Sequence, residues 1–380
     1  MSRLLPAADT PTAPGPHILL LVPTFQPHDA VGNDVLGMYH VLREAGYRTT
    51  VLAEHIHQDF ASITAKTLLD ADELWGDREA ILIYHHAIDW PLGEEILRRS
   101  KNKIAIKYHN ITPPEFYKDY VEFYYSACVK GVESTARLAQ MRVDRIWGAS
   151  QFNNEDFIRL GVPRDRCRVC PPIHHTGDIG RAPLDAVITG VYRGTTPNIL
   201  FVGAFRPNKG HFKAIETFAA YRDSSGQPAR LFLVGSFDPK LAGYVEEVKE
   251  YARVLEVQDS VFLAQSVTLS QLRSYYSIAS VFLCASEHEG FCVPLVEAMY
   301  FRVPIVAWAT TAVGETCGGC GLVFDDFDVA RMAGAIEQCI DNPVVCRDLA
   351  RRGRERYESA FSGGAIRDRL LALVEEVHRL

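Results

Sequence analysis

The chain has 380 residues, a formal net charge of -7, 47% hydrophobic residues and 23% charged residues. That length exceeds what one hydrophobic core usually organises, so two domains are expected, and the composition is that of a folded globular protein. The acidic balance, with an isoelectric point near 6.0, argues against broad nucleic-acid binding, which needs a basic footprint.

In the opening stretch MSRLLPAADTPTAPGP, Pro6 and Asp9 follow closely on Leu4 and Leu5. The apolar core of a secretory signal is therefore missing, and residues 1–16 read as a disordered tail. No run approaches the ~18 apolar residues of a membrane span, so a cytoplasmic location is expected, with contact at the inner membrane face left open. Nine cysteines, an odd number without a signal, read as free thiols in a reducing compartment. Cys167 with Cys170 and Cys317 with Cys320 have CxxC spacing. The first pair reads as part of a strand, where an odd offset sends the side chains to opposite faces. The second sits in a glycine-rich loop, the more permissive setting for a redox pair. Spacing alone supplies neither zinc nor redox chemistry.

His17–Val22 (HILLLV) reads as a strand, followed by a loop and an amphipathic segment, Asp34–Ala45, stopped by Gly46. Tyr47–Ala53, Ala80–His85 and Lys103–Tyr108 read as further buried strands with helical stretches between them. Such alternation predicts a parallel sheet covered on both faces, with ligands at the carboxyl ends of the strands. The informative loops then follow Val22, Tyr84 and Tyr108. Gly32 couples the first strand to its helix, with Asn33 or Asp34 available as N-cap. The loop YHNITPPEFY, Tyr108–Tyr117, sets His109, Asn110 and Thr112 just past a strand end, where they can hydrogen-bond a polar ligand, although a lone histidine is more often structural. Aromatics at Phe116, Tyr117, Tyr120, Phe123, Tyr124 and Tyr125, with Arg98, Arg99, Lys101, Lys103 and Lys107, suit either a membrane surface with a lipid-linked acceptor or ordinary core and solvated surface.

Periodicity lapses at Asp178–Thr196, so residues 17–178 are expected to form an N-terminal domain, 179–196 a linker and 197–360 a second domain. Asn198–Gly203, Arg230–Gly235, Ser260–Leu263, Ser280–Cys284 and Pro304–Trp308 read as its strands. Residues 361–380 hold an amphipathic helix, Gly364–Leu380, with Leu370, Leu371 and Val374 along one side; it is expected to pack back toward the first domain.

Two stretches of the second half carry chemistry. FVGAFRPNKG, Phe201–Gly210, is a strand, a glycine loop and a cation before a helix: an anion site with Lys209 as point charge for a diphosphate and Arg206 as a second cation, or a solvated loop. In SEHEGFCVPLVEAMYFR, Ser286–Arg302, Pro294 suits a first helical turn. Glu289 becomes a loop carboxylate and Glu297 a first-turn carboxylate. The amides of Gly290, Phe291 and Cys292 stand where a helix N-terminus can bind an anion. Spacing alone leaves open a plain structural role for both carboxylates.

Glu289-x7-Glu297 within EGF-x-x-P-x-x-EAM resembles the signature of retaining glycosyltransferases of family 4. DAVGNDV, YHNITPPEF and GASQFNNEDF resemble a subgroup building bacterial exopolysaccharide or lipid-linked oligosaccharide, so the likeness runs from about Ile18 to Arg356. It implies the GT-B fold, two Rossmann-like doubly wound α/β domains facing across a cleft. It also implies hexose transfer from a nucleoside-diphosphate sugar, with GDP-mannose slightly favoured over UDP-sugars, to a glycan or lipid-linked acceptor, without metal or other cofactor. By the same resemblance Glu289 contacts the transferred sugar, Glu297 the ribose and Lys209 the diphosphate. Val267 touches the base through its backbone, Glu315 heads a loop near the donor, His109 meets the donor sugar, and Gly32 lets amides approach the diphosphate. Two positions depart from the pattern: Ala204 stands where relatives commonly carry arginine, and Cys292 where glycine is more usual. The alternatives are a nucleotide-sugar epimerase or a non-catalytic sugar-nucleotide-binding protein.

Overall fold

The computed structural model describes residues 15–380 apart from 27–29, 61–62, 64 and 69–71. Nearly all of the expected tail, and part of the loop after the first strand, lie outside the described residues. The chain divides into two compact units. The first comprises residues up to Ile111, Lys130–His174 and Ile366–Leu380; the second comprises Thr112–Val129 and His175–Ala365.

The first unit holds a seven-stranded sheet of β1 (Ile18–Phe25), β2 (Thr49–Ile56), β3 (Ala65–Thr67), β4 (Ile81–His86), β5 (Lys103–Tyr108), β6 (Arg145–Gly148) and β7 (Cys167–Val169), in the order β3-β2-β1-β4-β5-β6-β7. Every pair is parallel, with Leu20 in register with Val51 on one side and Ile83 on the other. Residues 18–22 are all buried, the continuous apolar run expected of a strand covered on both faces. Helices α1 (Ala30–Glu44), α2 (Pro91–Arg99), α3 (Glu122–Ala139) and α4 (Gln151–Arg159) follow in chain order. Pro91 opens α2, and the Ser150 side chain caps α4 by accepting the Asn153 N–H, satisfying one donor the helix start leaves over.

In the second unit α5 (Thr176–Arg181) and α6 (Ala186–Tyr192) precede a six-stranded sheet. Its strands are β8 (Asn198–Val202), β9 (Arg230–Gly235), β10 (Val261–Gln265), β11 (Val281–Cys284), β12 (Ile305–Trp308) and β13 (Leu322–Phe324). Their order is β10-β9-β8-β11-β12-β13. Between and after them run α7 (His211–Ser225), α8 (Ala242–Val254), α9 (Leu269–Ile278), α10 (Val293–Tyr300), α11 (Val313–Cys317), α12 (Val329–Asp341) and α13 (Pro343–Arg356). The final helix, α14 (Gly363–His378), belongs to the first unit beyond Ala365. There Leu370, Leu373, Val374 and Val377 join the core of β1 and β2, at the i, i+3, i+4, i+7 spacing of one helical face.

The structure departs from the sequence reading in three places. Residues 179–196 are largely helical, because Asp185 caps α6 by accepting the Val187 and Ile188 N–H groups and Ile179 and Ile188 are buried. Thr112–Val129 groups with the second unit, where Phe116, Tyr120, Tyr124 and Tyr125 pack on its core and Tyr117 is part of it. Lys107, read as one of a basic surface cluster, is fully buried in the first unit. The aromatic run thus belongs to the second unit and Lys107 to the interior of the first. Among the described residues no helix is long and apolar enough to cross a membrane.

One glycine sets how closely two strand ends of the second sheet approach. Gly210 has φ +73°, and a Cβ there would lie 1.9 Å from the Ala285 carbonyl oxygen. Gly226 has φ +61° with nothing within 4 Å. Gly226→Ala should therefore cost only the left-handed backbone penalty, about 1 kcal/mol. Gly210→Ala should cost clearly more, because backbone must move as well. Urea melts of the two variants measure the difference, and equal midpoints would contradict it.

Candidate active site

Strand order in the second sheet reverses between β8 and β11, the switch point at which open α/β sheets leave a crevice beyond the carboxyl strand ends. The loops leaving these strands carry Lys209 and Glu289. Asn208 stitches them together: its carbonyl accepts the N–H groups of Glu287 at 2.9 Å and His288 at 3.1 Å, and its side-chain amide donates to the His288 carbonyl at 3.0 Å. Lys209 Nζ then lies 2.8 Å from Glu289 Oε2. The other Glu289 oxygen accepts the Ser286 hydroxyl at 2.9 Å, and the Glu289 N–H donates to Thr311 Oγ1 at 2.9 Å. Burial alone would depress the Lys209 ammonium, but the Glu289 carboxylate outweighs it and holds the group above its ordinary value.

Glu297 is not in the first turn of its helix. It lies in the second turn of α10, where its carboxylate accepts the Tyr276 hydroxyl at 2.7 Å. Burial pushes its pKa up to about 7, against the opposing effect of that hydrogen bond. Cys292 begins α10 with φ 71° and ψ 70°. A side chain held in the left-handed region costs about 1 kcal/mol, so this position would suit glycine better than cysteine. Phe291 is fixed through its carbonyl, which accepts the Thr316 hydroxyl at 2.6 Å; Gly290 lies between it and Glu289.

Arg206, Val267 and Glu315 are the remaining expected residues of the second unit. The Arg206 guanidinium lies 5.6 Å from the ring centroid of Tyr124, whose hydroxyl donates to Asp238. The cation is thus placed on an aromatic face, whereas Ala204 carries only a methyl group. Val267 is half-buried after β10, just before the capping box that Thr268 and Gln271 build at the start of α9. Glu315 does not head a loop; it is an exposed residue of the short helix α11.

In the first unit the helix begins at Ala30, so Gly32 lies inside α1 and neither Asn33 nor Asp34 caps it. Asp34 is fully buried instead. One of its oxygens accepts the Ile173 N–H at 2.7 Å; the other lies 3.7 Å from Lys107 Nζ and 3.9 Å from His109 Nε2. Lys107 also donates to the Cys170 carbonyl. His109 Nε2 faces His85 Nδ1 at 3.0 Å, the two rings stacked with centroids 5.2 Å apart. Burial, then His85 and Lys107, pulls His109 well below the ordinary histidine range, so its imidazole is neutral at neutral pH. Asn110, at φ 75°, turns the chain sharply after it, a conformation asparagine tolerates better than most residues.

Ligand atoms of Asp34, His85 and His109 lie within 4.8 Å of one another, the only such group of histidine, cysteine and carboxylate side chains among the described residues. The buried Lys107 ammonium already neutralises Asp34, so the cluster is a charge-compensated network rather than a divalent-cation site. Neither CxxC pair belongs to a group of that kind. Sequence reasoning named Lys209, Glu289, Glu297 and His109, but not their structural partners Ser286, Tyr276, His85 and Asp34. The one signal available for His85 was its place at the end of β4, in the loop region following Tyr84.

Two parallel sheets, each with the strand order reversing beside its first strand, define the GT-B class of α/β fold. Residues 191–356 match the family described as glycosyl transferases group 1. The chain is 31% identical over 209 residues to a D-inositol 3-phosphate glycosyltransferase of Acidothermus cellulolyticus, covering 50% of this chain and 44% of that protein. It is 29% identical over 125 residues to an MMP α-(1→4)-mannosyltransferase of Mycolicibacterium hassiacum, covering 32% and 30%. The chain thus spans under half the length of these curated relatives. Anabaena HepE in complex with UDP and glucose is similar in structure, with a TM-score of 0.72 at 14% identity over 95% of this chain and 99% of that one; at that identity the likeness is one of fold.

The raised pKa of Glu297 has a defined sign. A carboxyl that titrates near 7 when folded and near the ordinary ~4.3 when unfolded binds a proton in the folded state that the unfolded state has lost. Its contribution is fully present below the unfolded value and is lost as pH rises through the folded one. The urea midpoint should fall between about pH 5 and pH 8 more steeply in the native sequence than in Glu297→Gln; parallel profiles would refute the assignment. In the first unit, Lys107→Met leaves Asp34 buried and unpaired and should cost about 3–5 kcal/mol, with much of it recovered in Lys107→Met/Asp34→Asn. A double-mutant cycle by chemical denaturation reads that coupling.

Proposed function

We propose that the protein is a retaining hexosyltransferase of the family 4 type, moving a sugar from a nucleoside-diphosphate donor to an acceptor hydroxyl. The observation that carries this reading is the Lys209–Glu289 ion pair at the switch point of the second sheet. An ammonium and a carboxylate held in contact there are the two groups such a donor needs: a cation for the diphosphate and an acceptor for sugar hydroxyls. An arriving diphosphate competes with Glu289 for Lys209, and Glu289, still held by Ser286, turns an oxygen to the sugar.

As the glycosidic bond breaks, negative charge accumulates on the departing diphosphate. Lys209, with amides of the Gly290, Phe291 and Cys292 segment before α10, opposes that charge. This scheme calls on no metal or other cofactor. Attack from the face the leaving group vacates, with the leaving phosphate taking the acceptor proton, gives retention. Glu297 is assigned the ribose hydroxyls, Val267 the base through its backbone and Glu315 the edge of the donor site. Arg206 stands as a second cation for the diphosphate, in the role of the arginine that Ala204 lacks. In the first unit, Gly32 is assigned to the diphosphate and His109, a neutral donor and acceptor at the carboxyl edge of β5, to a sugar hydroxyl. Several relatives are named mannosyltransferases, which supports GDP-mannose; the UDP and glucose held by Anabaena HepE keep UDP-glucose as the competing donor. A glycan or lipid-linked saccharide at the cytoplasmic membrane face is the acceptor this reading favours.

Thermal melts with GDP and with UDP separate the two donors, since the matching nucleotide raises the apparent stability by mass action. Lys209→Ala and Glu289→Ala should each lower transfer by about 10²–10³-fold while circular dichroism stays native. Transfer unchanged in both variants would sink the proposal, and an inverted product anomer by NMR would remove its retaining mechanism.

A further inference from the structure

The second unit contains a thiol pair that the proposed transfer does not use. Cys317 ends α11, and Cys320 returns its N–H to the Cys317 carbonyl at 3.2 Å, closing a four-residue turn. The residues between them, Gly318 and Gly319, have φ +54° and +79°, so the turn depends on residues without a Cβ. The Arg356 guanidinium sits directly on Gly318, where an added Cβ would lie 2.1 Å from its central carbon. Its nitrogens donate to the carbonyls of Thr316 and Glu315, each at 2.7 Å. Gly321 is equally confined, its virtual Cβ 3.1 Å from Cys317 Sγ. The two thiols are thereby set three residues apart in one tight turn clamped by an arginine.

The pair is chemically unequal. Cys317, beside Cys320 and buried, is pushed well above the ordinary thiol range. Cys320 is held below it by the neighbouring Cys317 thiol and by the guanidinium of Arg356, with Arg352 adding to the effect. Cys320 is 3% exposed against 0% for Cys317, and the adjoining Gly318 and Gly319 are on the surface. A small oxidant therefore meets Cys320 first.

We infer that Cys317 and Cys320 form a reversible dithiol–disulfide site, oxidised by peroxide, whose closure loosens the Glu289–Cys292 loop. In the first step the Cys320 thiolate attacks hydrogen peroxide. A sulfur–oxygen bond forms, the oxygen–oxygen bond breaks, and the departing hydroxide takes up a proton as water. In the second, the Cys317 thiol attacks the sulfenic sulfur, the disulfide forms, and the hydroxyl leaves with the Cys317 proton as a second water. The two sulfurs lose two electrons and the peroxide gains them. A thiol donor reverses the change by exchange.

Coupling to the loop runs through the residue next to Cys317. Thr316 donates its hydroxyl to the Phe291 carbonyl at 2.6 Å, and the Ala312 N–H at the start of α11 donates to the Glu289 carbonyl at 3.3 Å. Drawing Cys317 Sγ onto Cys320 rotates the last turn of α11 and pulls on the Thr316 contact. That this loop serves a sugar nucleotide rests on the function proposed above; the thiol chemistry does not.

The test treats the full chain with hydrogen peroxide, with and without later dithiothreitol, and follows it by peptide mapping and amide hydrogen exchange. The expected result is one new linkage joining Cys317 to Cys320, reversed by the thiol, with exchange several-fold faster in peptides covering 286–300. Cys320→Ser and Cys320→Ala, checked for native circular dichroism, should show neither change. A linkage between Cys284 and Cys292, whose sulfurs lie 3.9 Å apart, would overturn the inference. So would oxidation of Cys320 beyond the sulfenic state without a linkage, no oxidation of the pair, or unchanged loop exchange. Neither readout uses a nucleotide, so a failure of the proposed function leaves these outcomes separately readable.

Discussion

The close approach of the loops after β8 and β11 is the constraint on which the second unit's chemistry depends. Gly210 brings backbone against the Ala285 carbonyl at a distance no other residue allows, and Asn208 spends both its main-chain and side-chain groups tying the loops together. With the backbones so fixed, Lys209 and Glu289 have little room to avoid each other. Their ion pair follows from the framework rather than holding it together. A part-buried pair of this kind contributes modestly to stability.

Around that pair, the loop is positioned by groups from distant parts of the chain. Thr311 receives the Glu289 N–H, Thr310 donates to the Ser286 carbonyl at 2.6 Å, and Thr316 donates to Phe291. All three threonines lie between β12 and the end of α11. The donor loop therefore leans on a neighbouring segment, and its geometry is only as fixed as that segment. The left-handed Cys292 adds a local strain that these contacts must hold.

Much of this architecture was legible in the sequence because buried parallel strands announce themselves as unbroken apolar runs, as HILLLV and NILFVG do. Lys209 and Glu289 were legible because each follows such a run in a glycine-bearing loop. What escaped depended on contacts between residues far apart in the chain. Nothing near Tyr276 marks it as the partner of Glu297, 21 positions away, and Asp34, two residues after a glycine, reads as a helix cap until Ile173 and Lys107 are placed beside it. The helical character of 179–196 was obscured by its Gly, Pro and Thr content, which outweighed the single capping aspartate.

The two carboxylates of the second unit show how one motif yields two chemical states. Glu289 sits beside an ammonium and accepts a serine hydroxyl, so it is an ionised acceptor. Glu297, eight residues on, is turned into the protein against Tyr276, and burial brings its titration to about 7. At neutral pH it divides between an acid that can donate a hydrogen bond and a carboxylate that can only accept. A ribose hydroxyl can meet either form, because it both donates and accepts, whereas a diphosphate would be repelled by the ionised one. Glu289, in the loop before α10, is thus held beside the lysine, while Glu297, inside α10, keeps an adaptable carboxyl for which hydroxyls, not phosphates, are the fitting partners.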